Sequence, residues 1–259
     1  MNTPQNNGQT PRTGTLLWTV QERTLGAAAD LDWATDELAV VRQAAAAGET
    51  VPDLVRIYVP EPTVAFGQRD ARLPGFESAT QAARAHGFEP VVRRAGGRAA
   101  AYHHGCVVVD HLSAEPDAAL RQRQRFSDFA DLFVDAFAAA GVPSRVGEIP
   151  GEYCPGEFSV RGDAPEHPVK LAGSAQRVVK GAWLFSTHVV VTDSAPLRAV
   201  LEDVYRELGL EMDARTVGGA SDVFEGVDVP GFVDALREQY THWADAQGLT
   251  VVDAPTPRT

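Results

Sequence analysis

The chain has 259 residues, 44% of them apolar, and carries 23 Lys and Arg against 35 Asp and Glu, a formal net charge of −12. That balance argues against nucleic-acid binding driven by phosphate contacts, and no apolar run approaches a membrane span. Its two cysteines, Cys106 and Cys154, suggest neither a disulfide framework nor a zinc site.

Met1 to Thr13 is polar, has no apolar signal core, and is expected to be disordered, as is the tail from Ala254 to Thr259. Residues 14–253 read as one domain whose 194–253 portion is helical. A reducing cytoplasm is the expected location. In chain order, Leu16 to Val20 reads as a strand. Asp30 and Asp32 are candidate caps of a helix running through Trp33, Leu38 and Val41 to Ala47, with Gly48 stopping it. Leu54 to Val59 and Thr63 to Gly67 read as strands, and a helix from Glu77 to His86 ends at Gly87. Pro90 to Arg94 is a strand that empties into a Gly96-Gly97 loop, and Ala99 to Leu112 resumes extended structure.

A long helix is predicted from Asp117 to Ala140. Phe126, Phe129, Phe133 and Phe137 recur at helical spacing and mark a buried stripe, core and not a cofactor box. Three strands follow, Glu157 to Arg161, Val169 to Val179 and Trp183 to Thr192. A polar insert, Gly162 to Pro168, separates the first two, and Lys180-Gly181 turns the last two into a hairpin. Leu197, Val200, Leu201, Val204 and Leu208 mark another helix, and Pro230 to Trp243 a last one. Strands come in runs, so the expected fold is α+β, with a mixed, largely antiparallel sheet flanked by helices.

The chemistry points to Cys154 in G-E-Y-C-P-G and Lys170 in V-K-L-A-G-S-A-Q-R. A thiolate accepts acyl groups, and its thioester retains enough free energy to acylate an amine without ATP. A nearby ammonium favours the thiolate or holds a developing oxyanion. Pro155 has no N–H, so a backbone oxyanion donor is Gly156 or a residue distant in sequence. Glu148, Glu152 and Glu157 must point away from the sulfur. The Gly96-Gly97-Arg98 loop lets backbone N–H groups approach a ligand, with Arg98 holding an acyl oxygen, carboxylate or phosphate. Arg93, Arg94 and Arg98 form a basic cluster suited to an acidic carrier domain, whereas Arg121, Arg123 and Arg125 read as a solvated helix face. Cys106, in C-V-V-V, reads as core. His104 and His188 read as hydrogen-bonded histidines at strand edges.

Three blocks resemble the lipoate-protein ligase and octanoyltransferase superfamily, and within it the cysteine-dependent octanoyltransferases. They are R-R-A-G-G-R-A-A-A-Y-H from Arg93 to His103, Y-C-P-G-E-F from Tyr153 to Phe158, and V-K-L-A-G-S-A-Q-R from Val169 to Arg177. Weaker echoes are W-A-T-D-E-L-A from Trp33, V-A-F-G-Q from Val64 and V-Y-R-E-L-G-L from Val204. The resemblance implies a fold akin to biotin ligase and class II aminoacyl-tRNA synthetase catalytic domains. It also implies an acyltransferase in which Cys154 and Lys170 are catalytic. Arg94, Gly96, Gly97, Arg98, His103, Gly156, Gly173 and Gln176 would then contact substrate, with no metal and no cofactor. The implied donor is acyl carrier protein or glycine-cleavage H protein, and the acceptor a lysine of H protein or of a 2-oxoacid dehydrogenase lipoyl domain. Two departures bear on the acyl pocket: H-G-C-V-V-V follows the signature histidine, and L-F-S-T-H from Leu184 to His188 stands where relatives often have His-Gly. An ATP-dependent lipoate-protein ligase and a non-catalytic carrier-binding relative are the alternatives, with biotin transfer a weaker one.

Overall fold

The computed structural model describes residues 14–255, so the disorder expected of 1–13 and 256–259 lies outside the described residues. In chain order the elements are β1 (Gly14–Val20), α1 (Ala27–Ala46), β2 (Asp53–Tyr58), β3 (Thr63–Phe66), α2 (Phe76–Ala85), β4 (Glu89–Val92), β5 (Ala100–Tyr102), β6 (Cys106–Ala114) and α3 (Gln122–Ala139). Then come β7 (Arg145–Val146), β8 (Val160–Asp163), β9 (Pro168–Val179), β10 (Ala182–Val190), α4 (Ser194–Leu208), α5 (Ala220–Val223), α6 (Val229–Gln247) and β11 (Leu249–Asp253). An eight-stranded sheet has the order β11-β1-β2-β6-β10-β9-β8-β7, and a small sheet the order β4-β3-β5. The large sheet is parallel across β11, β1 and β2, where α1 supplies the crossover, and antiparallel beyond β2. The mixed, largely antiparallel sheet flanked by helices is therefore present. Among the described residues no helix is long and apolar enough to cross a membrane.

Alternation along β10 sorts the layers. Trp183, Phe185 and Val189 face Phe129, Phe133 and Phe137 of α3 and Phe232, Leu236 and Tyr240 of α6. Burying each of those phenyl groups contributes on the order of 1.5–3 kcal/mol. On the opposite face, Leu184 and Leu112 meet Ala34, Leu38 and Val41 of α1. Further along that face Val190, Val108 and Tyr58 join the small sheet, α2 and α4 in a separate core. Between these two apolar blocks Arg56, Asp110 and Ser186 lie in register across β2, β6 and β10. The candidate site opens over this gap.

Several expectations need correction. Helix α1 starts at Ala27 because Asp30, expected to cap it, turns inward. Its carboxylate accepts from Gln21 Nε2 at 2.8 Å and Thr24 Oγ1 at 2.6 Å, and pairs with buried Arg56. The extended run from Ala99 splits at His103–Gly105, where the Gly105 N–H donates to His103 Nδ1 at 2.8 Å, and its halves enter different sheets. Helix α3 begins at Gln122, after turns. Arg125 is not solvated: it is 5% exposed, donates to Glu115 Oε2 at 2.9 Å and lies over the Trp183 ring. The strand expected from Glu157 forms only at Val160, so Gly162 and Asp163 belong to a β8–β9 hairpin. The 194–253 portion ends in a strand, β11, and Ala254 of the expected tail donates its N–H to Trp18 O at 2.8 Å.

Candidate active site

Cys154 sits in the loop between β7 and β8 with a φ of +42°. A non-glycine residue held there stores on the order of 1 kcal/mol of strain and persists only where its surroundings dictate it. Both backbone polar groups of Cys154 are held. Its N–H donates to the Tyr205 hydroxyl of α4 at 2.7 Å, and that hydroxyl donates to Ala99 O at 3.0 Å. Its carbonyl accepts from Lys170 Nζ of β9 at 2.7 Å. The same ammonium donates to Tyr153 O at 3.0 Å and to Glu152 Oε1 at 3.3 Å, so its three protons are engaged. Lys170 thus holds the loop that presents the sulfur.

The half-buried Sγ accepts the Arg98 backbone N–H at 3.2 Å, and Arg93 Nη2 lies 3.9 Å away. Arg93 is aimed there by donating to the Tyr102 hydroxyl and to Arg98 O, each at 2.9 Å. Burial alone would lower the Arg93 pKa, but the Tyr102 oxygen and the Cys154 sulfur beside it carry it upward. Two of the three nearby carboxylates are held by other groups. Glu152 accepts from Lys170, from Ser159 Oγ at 2.6 Å and from the Gly156 N–H at 3.0 Å, while Glu157 pairs with Arg123. Gly156, the nearby candidate oxyanion donor, is therefore occupied. The N–H at the sulfur comes from Arg98, far along the chain.

Gly97 makes this approach possible. Its φ is +101°, and a Cβ there would meet Arg93 Nη2 at 2.5 Å and Cys154 Sγ at 2.8 Å. The loop is braced by buried Asp70, which accepts the Gly67 N–H at 2.9 Å and Arg98 Nη1 at 3.0 Å.

Two cavities meet at Cys154. The larger, about 610 Å³, has apolar walls from Leu31 and Ala34 of α1, Phe126 of α3, and Phe158. Its lining also takes in Gly96, Gly97, Gly156, Lys170, Gly173 and Gln176. The smaller, about 440 Å³, is lined by Arg69, Arg94 and Arg98, and the two share Ala95, Gly96, Gly97, Cys154 and Pro155 as a wall. Arg94 is exposed and paired with Asp32 and Asp36. His103 lines neither cavity. It is buried between Gly105 N and Asp193 O, a structural histidine where the resemblance implied substrate contact.

The family model "Lipoyl protein ligase A/B catalytic domain" matches residues 30–241. The chain belongs to this family. Among curated relatives, an octanoyl-[GcvH]:protein N-octanoyltransferase of Geobacillus kaustophilus is 32% identical over 156 residues, 60% of this chain and 54% of that protein. One of the same description from Exiguobacterium sibiricum is 31% identical over 149 residues, 57% and 52% of the two chains. The chain thus spans about half the length of each relative. Among solved structures, a lipoate-protein ligase A bound with ATP superposes with a TM-score of 0.67 at 16% identity, covering 95% of this chain and 90% of that one. This likeness is one of fold.

Within this lipoyl ligase A/B architecture the sequence pointed to Cys154, Lys170 and the glycine loop, which the fold brings together. It missed Arg93 and Tyr205 as partners of Cys154. Arg93 lay in the first motif block and Tyr205 in the V-Y-R-E-L-G-L echo, so both carried a signal.

Proposed function

We propose that this chain is an acyltransferase that carries an octanoyl group on Cys154 and delivers it to the ε-amine of a lysine on a lipoyl-domain protein. The observation that carries the reading is the sulfur itself, accepting the Arg98 N–H at 3.2 Å on the wall shared by two cavities. One cavity offers apolar walls for the chain; the other offers arginines toward an incoming acidic carrier. The activity for which those relatives are named, octanoyl transfer from GcvH to protein, supports the same chemistry.

The Cys154 thiolate attacks the donor carbonyl. The tetrahedral oxyanion forms beside the Arg98 N–H and the Arg93 guanidinium, donors fixed before reaction. Its collapse expels the donor thiolate or, from an octanoylated H protein, a lysine amine that takes a proton from solvent as the C–N bond breaks. The acceptor lysine then attacks the thioester, an amide bond forms, the amine loses a proton and the thiolate is regenerated. From a carrier thioester, amide formation runs downhill. From an amide donor the second step mirrors the first, so the overall exchange is near balance. Neither route needs ATP.

The test is intact-mass analysis of the protein mixed with octanoyl-carrier protein or octanoyl-H protein. The expected result is an octanoyl adduct on Cys154 that an apo-lipoyl domain discharges. Modification of the domain that occurs only with ATP and free acid would replace this reading with that of a ligase.

A further inference from the structure

The large cavity has a polar floor that a plain hydrocarbon tail leaves unused. On the sheet face beneath it, Leu54, Leu112 and Leu184 form one cross-strand row, and Arg56, Asp110 and Ser186 the next. His188 follows two residues beyond Ser186 on the same face of β10. Asp110, Ser186 and His188 all line the cavity. His188 is 6% exposed, and its Nε2 has no hydrogen-bond partner among the described residues. Its imidazole stays neutral down to a pKa of about 3, through burial first and then the nearby cations Arg93 and Lys170. Asp110 accepts from Arg56 Nη1 at 3.3 Å and from the Ser186 hydroxyl.

The patch connects to the Cys154 sulfur through Arg93 and Tyr102. From Sγ the contacts run through Arg93 to the Tyr102 hydroxyl, and the Tyr102 ring sits 4.3 Å from that of His188. An anionic substituent would meet the Asp110 carboxylate, and a cationic one the field of Arg93 and Lys170 beside His188. A neutral group that both donates and accepts meets neither objection.

We propose that His188, Ser186 and Asp110 form a hydrogen-bonding subsite for a medium-chain acyl group that carries a hydroxyl along its chain. This rests on the acyl-transfer reading and adds the substituent. A site that bonds a hydroxyl discriminates against the analogue that lacks it, because a buried polar atom, here His188 Nε2, is then left unpaired.

The experiment measures calorimetric binding of octanoic, 6-hydroxyoctanoic and 8-hydroxyoctanoic acids to the Cys154→Ala protein. In parallel, the unsubstituted protein is offered the three pantetheine thioesters and followed by intact mass. At least one hydroxy acid is expected to bind roughly tenfold or more tightly than octanoic acid. His188→Leu and Ser186→Ala should each shrink that ratio, the serine variant serving if the leucine variant fails to fold. Octanoic acid binding as tightly as both hydroxy acids, a ratio unmoved by the substitutions, or no binding of any acid would overturn the subsite. Octanoyl loading on Cys154 without a hydroxyl preference in binding sinks the subsite and leaves acyl transfer standing. A hydroxyl preference in binding with no adduct from any thioester does the reverse.

Discussion

Lys170 Nζ lies 2.7 Å from the carbonyl oxygen of Cys154, while the Cys154 sulfur takes its hydrogen bond from the Arg98 N–H at 3.2 Å. The two residues that the motifs join are thus joined through backbone. Lys170 and Glu152, each 2% exposed, form a buried ion pair that fixes the loop from Glu152 to Cys154 in its left-handed turn.

Replacing Lys170 with Met should therefore damage the fold as well as the reaction. It strands the Glu152 carboxylate, and breaking a buried pair from one side costs about 3–5 kcal/mol. Urea denaturation is the check. The double variant Lys170→Met with Glu152→Gln should recover part of the loss, because no uncompensated charge remains.

Gly97→Ala and Gly96→Ala should behave differently although the residues are adjacent. A Cβ added at position 97 would fall 2.8 Å from Sγ on a backbone with φ of +101°, whereas a Cβ at position 96 meets nothing within 4 Å. The measurement is iodoacetamide alkylation of the native protein. Cys106 is fully buried, and burial pushes its thiol up to about 12, so only Cys154 should label before unfolding. Gly97→Ala should change that rate by about tenfold or more through displaced sulfur donors, and Gly96→Ala should leave it close to that of the parent protein.

How much of this was legible in sequence depended on locality. The α3 stripe is periodic within one element, and Phe129, Phe133 and Phe137 are buried as read, whereas Phe126, read as core with them, is only partly buried and lines the larger cavity. Arg125 on the same helix looked solvated because its partners Glu115 and Trp183 arrive from outside the helix. The β11–β1 pairing joins the two ends of the described chain, and no short-range pattern announces it. At the site, Cys154 and the glycines stood out by composition. The partner of Lys170 is largely backbone carbonyl, and carbonyls leave no mark in a residue string. Arg93 reaches the sulfur only because Gly97 lacks a Cβ, a relation that exists in three dimensions alone.

His188 links the cavity to acid stability. Its folded pKa, near 3, lies below its ordinary value of 6.5, so the unfolded chain binds this proton first as pH falls. The contribution is fully present above pH 6.5 and is lost between 6.5 and 3, with a slope of up to about 1.4 kcal/mol per pH unit. Denaturation midpoints measured from pH 7 to 4 should fall, and His188→Leu should flatten part of that fall.

The most direct test of the account is single-turnover octanoyl transfer to an apo-lipoyl domain by the Cys154→Ala protein, with folding confirmed by circular dichroism. Because the covalent step runs through one sulfur, transfer should drop by about 10⁴-fold or more, to the background rate. Transfer at the rate of the unsubstituted protein would contradict it.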